Sequence, residues 1–167
     1  MFKKFFGSIA LALCLIFVPT PEQNAAAGTK EIVQEFLNRD NATFPQYAKD
    51  ILYYTNKARE ENGLQPLRLS KDLNDLAMIR AKEVNNVFSH DRPSGKPFYT
   101  VFTTRYRRVG ENLAGGIKDA KATVDAWMNS PGHRANILNP DFRELGVGYF
   151  VGDGRFKVYW VQLFRRL

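Results

Sequence analysis

Apolar positions recur at helical spacing through most of the chain and at strand spacing only towards its end. Over residues 44–61, Tyr47, Ile51, Leu52, Thr55, Ala58 and Arg59 recur at intervals of three and four, which predicts a helix stopped by Asn62-Gly63. Ser70 as N-cap and Asp72 in the first turn open a second helix, with Leu73, Ala77, Ala81, Val84 and Phe88 on one face and Ser89-His90-Asp91 as its exit. A short helix is expected over residues 97–102, and a strand over 105–109 that leads into the glycine-flanked run Gly110-Glu111-Asn112-Leu113-Ala114-Gly115-Gly116. Residues 118–129 read as a further helix with Ala120, Val124, Trp127 and Met128 inward, and Ser130-Pro131 caps a last helical turn. The period then changes. Residues 145–151 and 156–164 read as strands around a tight Gly152-Asp153-Gly154 turn. In the second strand Phe156, Val158, Trp160 and Phe164 alternate with Tyr159, Val161 and Leu163, so both faces are apolar and both are buried. Helices must then cover both sides of the sheet. The expected fold is α+β, a three-layer α-β-α sandwich around a central antiparallel sheet.

The first residues follow another logic. Lys3 and Lys4 precede an apolar run over residues 5–18, shorter than the roughly 20 residues a membrane-spanning helix needs. Pro19 and Pro21 end it, and Ala25-Ala26-Ala27 offers small residues for cleavage. Residues 1–27 therefore read as a secretory signal peptide. Residues 28–43 read as an N-terminal extension with a short helix over 30–38, and 44–167 as one folded domain. The single cysteine, Cys14, lies inside the apolar run, and Leu13 stands where a lipoprotein acceptor needs a small residue. Cleavage would leave a mature chain without thiols, stabilised by its core rather than by disulfides, which suits export to a bacterial surface. The expectation is a secreted or wall-associated monomer that meets the membrane only through its signal peptide.

Composition narrows the function class. Hydrophobic residues at 44% and charged residues at 25% are ordinary globular usage, which excludes a disordered chain, a collagen and a polytopic membrane protein. Lys and Arg outnumber Asp and Glu by 24 to 17, a balance that favours anionic surroundings such as headgroups or wall polymers.

The chain has two histidines, His90 and His133, each beside a Gly- and Pro-rich turn. Glu111 lies between them in sequence, next to a glycine that lets backbone approach a ligand. Two imidazoles and a carboxylate are a donor set for a divalent metal, with zinc the natural candidate, although no HExxH or CxxC spacing is present. Ser130 stands three residues before His133, but Ser-Pro is a capping pair and no nucleophile elbow surrounds it. Arg105-Tyr106-Arg107-Arg108 reads as a solvated strand face; no nucleic-acid-binding motif accompanies it, and nucleic acid is not an expected partner. Gly95-Lys96 lacks the rest of a phosphate loop.

Several stretches together resemble one family. Tyr54-Thr55-Asn56-Lys57-Ala58-Arg59, with Gly63-Leu64-Gln65-Pro66-Leu67 after it, is similar to the opening helix and exit of the CAP superfamily: cysteine-rich secretory proteins, antigen 5 and plant pathogenesis-related proteins. Phe88-Ser89-His90 resembles its first histidine motif, and Gly110-Glu111-Asn112-Leu113-Ala114 its G-E-N motif. The run from Trp127 through Ser130-Pro131-Gly132-His133-Arg134 to Leu138 resembles its second histidine motif. Gly146-Val147-Gly148-Tyr149 and Tyr159-Trp160-Val161-Gln162 resemble its closing strands. The resemblance covers residues 44–164. It implies an α-β-α sandwich, and a cleft in which His90, Glu111 and His133 fall on positions that bind zinc in some members. Two departures matter. Many members carry a second glutamate shortly after the first histidine, where this chain has Asp91 as the only acid through Pro97; the eukaryotic members are disulfide-rich, whereas this mature chain has no cysteine. The short bacterial branch is the one it resembles.

Two functions follow. One is a non-catalytic binding module that holds a lipid or cell-wall ligand, with no cofactor required and a divalent metal optional. The other is a metal-dependent hydrolase of peptide or wall polymer, in which metal on His90 and His133 activates water and Glu111 is the general base. Catalytic zinc usually has three protein ligands. Glu111 cannot readily be both third ligand and base, which favours binding over catalysis. Glu111 can equally orient a metal-bound histidine, or serve as a structural carboxylate paired with Arg134 or a backbone amide.

Overall fold

The protein is described by a computed structural model over residues 43–167. The signal peptide expected over residues 1–27, Cys14 and the helix expected at residues 30–38 lie outside the described residues. Among those described, helix α1 (Gln46–Glu61) is followed by strand β1 (Arg68–Leu69), helix α2 (Lys71–Asn86) and a 3-10 turn (Phe98–Val101). Strand β2 (Arg108–Gly115), helices α3 (Ala120–Met128) and α4 (Pro131–Ile137), and strands β3 (Glu144–Val151) and β4 (Val158–Arg166) complete it. No described helix is long and apolar enough to cross a membrane.

The sheet order is β1-β3-β4-β2. β4 pairs antiparallel with β3 on one side and β2 on the other, but β1 pairs parallel with β3, through Arg68 with Glu144 and Leu69 with Leu145. The sheet is therefore mixed rather than antiparallel throughout. A two-residue strand is too short to show a period of two, which is why the sequence pattern omits it.

Two apolar layers flank the sheet. On one side Ala48, Ile51 and Leu52 of α1, Val124 and Trp127 of α3 and Ile137 of α4 pack on Leu145, Val147, Trp160 and Phe164. On the other, Leu73, Leu76, Ala77, Ala81 and Val84 of α2 pack on Leu113, Tyr159, Val161 and Leu163. β4 is buried on both faces from Val158 to Arg165, as its pattern requires. α2 presses directly on β3: a Cβ at Gly146 would lie 2.3 Å from the Leu73 carbonyl, and one at Gly148 2.1 Å from that of Ala77.

The stop at Asn62-Gly63 is present: Gly63 takes φ 70°, and the amides of Asn62 and Gly63 close back on Arg59 and Glu60. Three other expectations shift. α2 ends at Asn86, short of Phe88. The Asn85 side chain accepts the Gly154 amide at 2.9 Å, and Phe88 leaves the helical face to meet Phe156, ring to ring at 4.9 Å. The run from Gly110 to Ala114, expected after a strand, lies inside β2, each residue in register with β4. β4 starts at Val158 rather than Phe156, because residues 152–157 form a wider turn in which Lys157 takes φ 64° and the Tyr159 hydroxyl accepts the Phe156 amide.

Candidate functional site

The outer edge of β2 is an edge strand, and two of its carbonyls are covered by side chains from α3 and α4. Trp127 Nε1 donates to the Leu113 carbonyl at 3.0 Å, and Asn136 Nδ2 donates to the Glu111 carbonyl at 3.1 Å. Over this edge the exit of α2 supplies His90 and the start of α4 supplies His133. The structure thus brings His90, Glu111 and His133 together from three separate elements.

Glu111 is fully buried. Arg80 of α2, also fully buried, grips both of its oxygens, Nε to Oε2 at 2.7 Å and Nη2 to Oε1 at 3.2 Å. His90 Nδ1 sits 2.9 Å from Oε1. A carboxylate accepts only, so the ring presents an N–H at Nδ1, and its neutral form has its lone pair at Nε2. The His90 side chain is 58% exposed while Glu111 is 0%, so the imidazole and not the carboxylate is open to a ligand. The structural partner of Glu111 is Arg80, not Arg134 or an amide.

Arg80 also bonds Glu83 Oε2 at 2.6 Å and the Ser89 carbonyl at 2.8 Å, which ties the His90 segment to the helix. Glu83 is gripped in turn by Arg92 at 2.6 Å. Burial pushes the Glu83 carboxyl up, but hydrogen bonds from Arg92 and Arg80 outweigh it and hold the group below its ordinary range. Glu83 is thus a second carboxylate near the cleft, supplied from α2 rather than from the stretch after His90, and both its neighbours are arginines.

A chain of buried amides holds the other wall. Thr55 Oγ1 accepts from Gln162 Nε2 at 2.8 Å. Gln162 Oε1 accepts from Asn112 Nδ2 at 3.1 Å, which donates also to the His133 carbonyl, while Asn112 Oδ1 accepts from Asn136 at 2.9 Å. The backbone of His133 is thereby fixed to the sheet. Burial lowers the pKa of the His133 ring, and the nearby His90 lowers it further. Both causes favour the neutral imidazole, the form that ligates metal.

The fit to a metal can be judged from these donors. The cleft offers two imidazole nitrogens; among the described residues no three of His, Cys, Asp or Glu are grouped to hold an ion. A two-histidine site completed by solvent fits, whereas a three-ligand catalytic zinc does not. Ser130 is the N-cap position of α4 without a side-chain cap bond, as its capping reading expects in position though not in bonding.

A separate groove of about 440 Å³ opens between α1 and the start of α3, lined by Tyr47, Tyr54, Tyr149 and Trp160 with Asp50 and Asp119. The Tyr149 and Trp160 rings lie 4.4 Å apart. No signal in the sequence marked it, because its residues come from four separate segments: α1, the turn into α3, β3 and β4. Arg80 did leave a signal: it falls on the apolar face of α2, three residues after Ala77 and four before Val84. A charge in a core register calls for a buried counter-charge.

The profile of the cysteine-rich secretory protein family, CAP, matches residues 52–164. The protein YkwD of Bacillus subtilis is 41% identical over 123 residues, which is 71% of this chain and 46% of YkwD. A crystal structure of an extracellular protein containing an SCP domain from Bacillus anthracis superposes with TM-score 0.64 at 32% identity, over 72% of this chain and 40% of that one. NaASP2, solved with Zn2+, has the same fold at TM-score 0.54 and 16% identity, over 72% of this chain and 80% of its own. The chain thus spans less than half the length of these two Bacillus relatives.

Proposed function

Because the chain belongs to the cysteine-rich secretory protein (CAP) family, we propose that it is a secreted or wall-associated binding module, without catalysis, for a lipid or cell-envelope ligand. His90 and His133 take a divalent metal as an accessory. The observation that carries this reading is the state of Glu111: Arg80 and His90 occupy its oxygens and no face of it meets solvent. A general base must reach the proton it removes, and this carboxylate reaches only its two partners. It orients His90 instead, as outer-shell carboxylates do. Metal bound on the two imidazoles would supply Lewis acidity and a charged anchor for a ligand. The tyrosine-lined groove supports a ligand role, since its volume lies within the range of small-molecule sites.

Calorimetric zinc titration of the wild type, His90→Ala, His133→Ala and Glu111→Gln tests the reading, beside assays on lipids and muropeptides. Expected are zinc binding near neutral pH that each histidine variant loses, a roughly 10–100-fold weakening in Glu111→Gln, ligand retention and no turnover. Zinc-dependent turnover that Glu111→Gln abolishes while metal stays bound would establish the hydrolase instead.

A further inference from the structure

Three arginines stand side by side at one end of the sheet. Arg108 of β2 is the register partner of Arg166 of β4. On the other side of β4, Glu144 is the partner of Arg165, so Arg143, one residue earlier, comes level with Arg166; its amide donates to the Arg165 carbonyl at 3.1 Å. The three share the face that carries α1 and α4. Arg108 and Arg166 have the parity of Ala114 and of Trp160 and Phe164, which pack on that side, and Arg143 lies near enough to Arg59 of α1 to affect its ionisation. Adjacent strands are about 4.8 Å apart, so the row spans about 10 Å.

Like charges directly opposite each other on a sheet destabilise it, and little in the protein offsets this row. Arg108 has an ion pair with Asp141 at 3.3 Å, with both side chains more than half exposed. Arg143 bonds only the Pro140 and Phe142 carbonyls. Among the described residues, Arg166 has no carboxylate partner. Behind them Arg59 is fully buried on carbonyls alone, at Gln65, Ile137 and Asn139, and its Nη2 has no partner. Burial and then the charge of Arg143 bring its pKa down to about 10. Arg105 and Arg107 extend the charge into the exposed segment before β2, where the Arg107 amide donates to the Arg166 carbonyl at 2.8 Å.

We propose that this arginine row is a docking site for a linear polyol-phosphate polymer of the cell envelope. Guanidinium forks match phosphate oxygens bidentately, and a line of them calls for anions in succession rather than one ion. Arg108 is exposed and Arg143 and Arg166 are half-buried, so each keeps part of its side chain within reach of a polymer crossing the row. Asp141 stands within it: a flexible chain of separate phosphates routes past one carboxylate, whereas a continuous anionic bilayer surface meets it head-on. A single-stranded nucleic acid would want several free stacking faces beside the charges, and this segment has only Tyr106, whose ring already packs edge-to-face with Phe102 at 5.4 Å.

The test is binding of a synthetic glycerol-phosphate oligomer to the full chain over about 50–200 mM salt, with oligothymidylate and anionic phosphatidylglycerol vesicles as separate arms. Expected is preference for the glycerol-phosphate oligomer, weakened roughly tenfold by Arg166→Gln with a salt slope smaller by about 0.7–0.9. Arg166→Lys keeps most of that slope but not the fork, and binds between the two. Lys82→Gln, an equal loss of charge on exposed α2, changes affinity less than about twofold. With no oligomer present, the melting temperature of Arg166→Gln rises by about 1–3 °C, since a repulsion is relieved. An equal loss in Lys82→Gln, no oligomer binding, or tighter binding to oligothymidylate or vesicles overturns the proposal.

Discussion

Trp127 shows how one side chain serves core and site together. It is 1% exposed in the α1-side layer, and its indole N–H closes the outer edge of β2 at Leu113. Trp127→Ala should therefore destabilise by about 3–5 kcal/mol, the usual loss for a buried large aromatic. Urea unfolding measures it, and a loss below about 1 kcal/mol would place the ring outside the core. At this scale His90, Glu111 and His133 were legible from residue type, from their flanking turns and from the family motifs. Their partners were less so. Asn112, Asn136 and Gln162 lie within the quoted motifs, yet nothing in local spacing says that an amide on β2 will meet one on β4 and another on α4. Arg80 was legible in principle, as a charge in an apolar register, but naming Glu111 as its partner needs the α2-to-β2 packing.

Elements explain where the chain tolerates change. β3 carries glycine at 146 and 148 because α2 lies on it at backbone distance. Gly148→Ala should cost about 1–3 kcal/mol through displacement of α2. Gly132→Ala in α4, where an added Cβ meets nothing within 4 Å, should instead stabilise by about 0.5–1 kcal/mol. Denaturant midpoints of the two variants should move in opposite directions from the wild type. Helices α1 to α3 and the two long strands at the end of the chain were legible because each carries an apolar period, and α4 because Ser130-Pro131 marks its start. β2 was not, since Glu111 and Asn112 interrupt its pattern with polar groups that only buried partners make compatible with a sheet. β1 was too short to show a period, and the end of α2 was set by a distant turn that holds Asn85.

Among the described residues, two ionic clusters brace elements far apart in sequence. One joins Arg92, Glu83, Arg80 and Glu111 beside the cleft. The other joins Arg165 to Asp72 and Glu144 across β4, α2 and β3. Burial raises the Asp72 carboxyl, but hydrogen bonds from Arg165 and Ser70 prevail, and like Glu83 it titrates below its ordinary value in the folded protein. The folded state therefore binds fewer protons than the unfolded one in this range, so stability rises with pH there. These contributions should be complete above the ordinary carboxyl values of 3.8 and 4.5 and be lost as pH falls through the lower folded values. Melting temperatures from pH 7 to pH 2 should be level at first and then fall, with a shallower acid limb in Glu83→Gln; an identical limb would remove Glu83 as a source. The position of β4 has a consequence for synthesis. It is the strand that both β2 and β3 require, yet it follows them in the chain. A growing polypeptide thus holds two long strands without their shared neighbour, and both apolar layers lack the centre of their floor. Helices α1 to α4 can form their turns as they emerge and α2 can meet β3, but neither layer closes until residues 158–166 arrive. The domain should therefore close late in synthesis, and a chain cut short before that segment should be open to proteases.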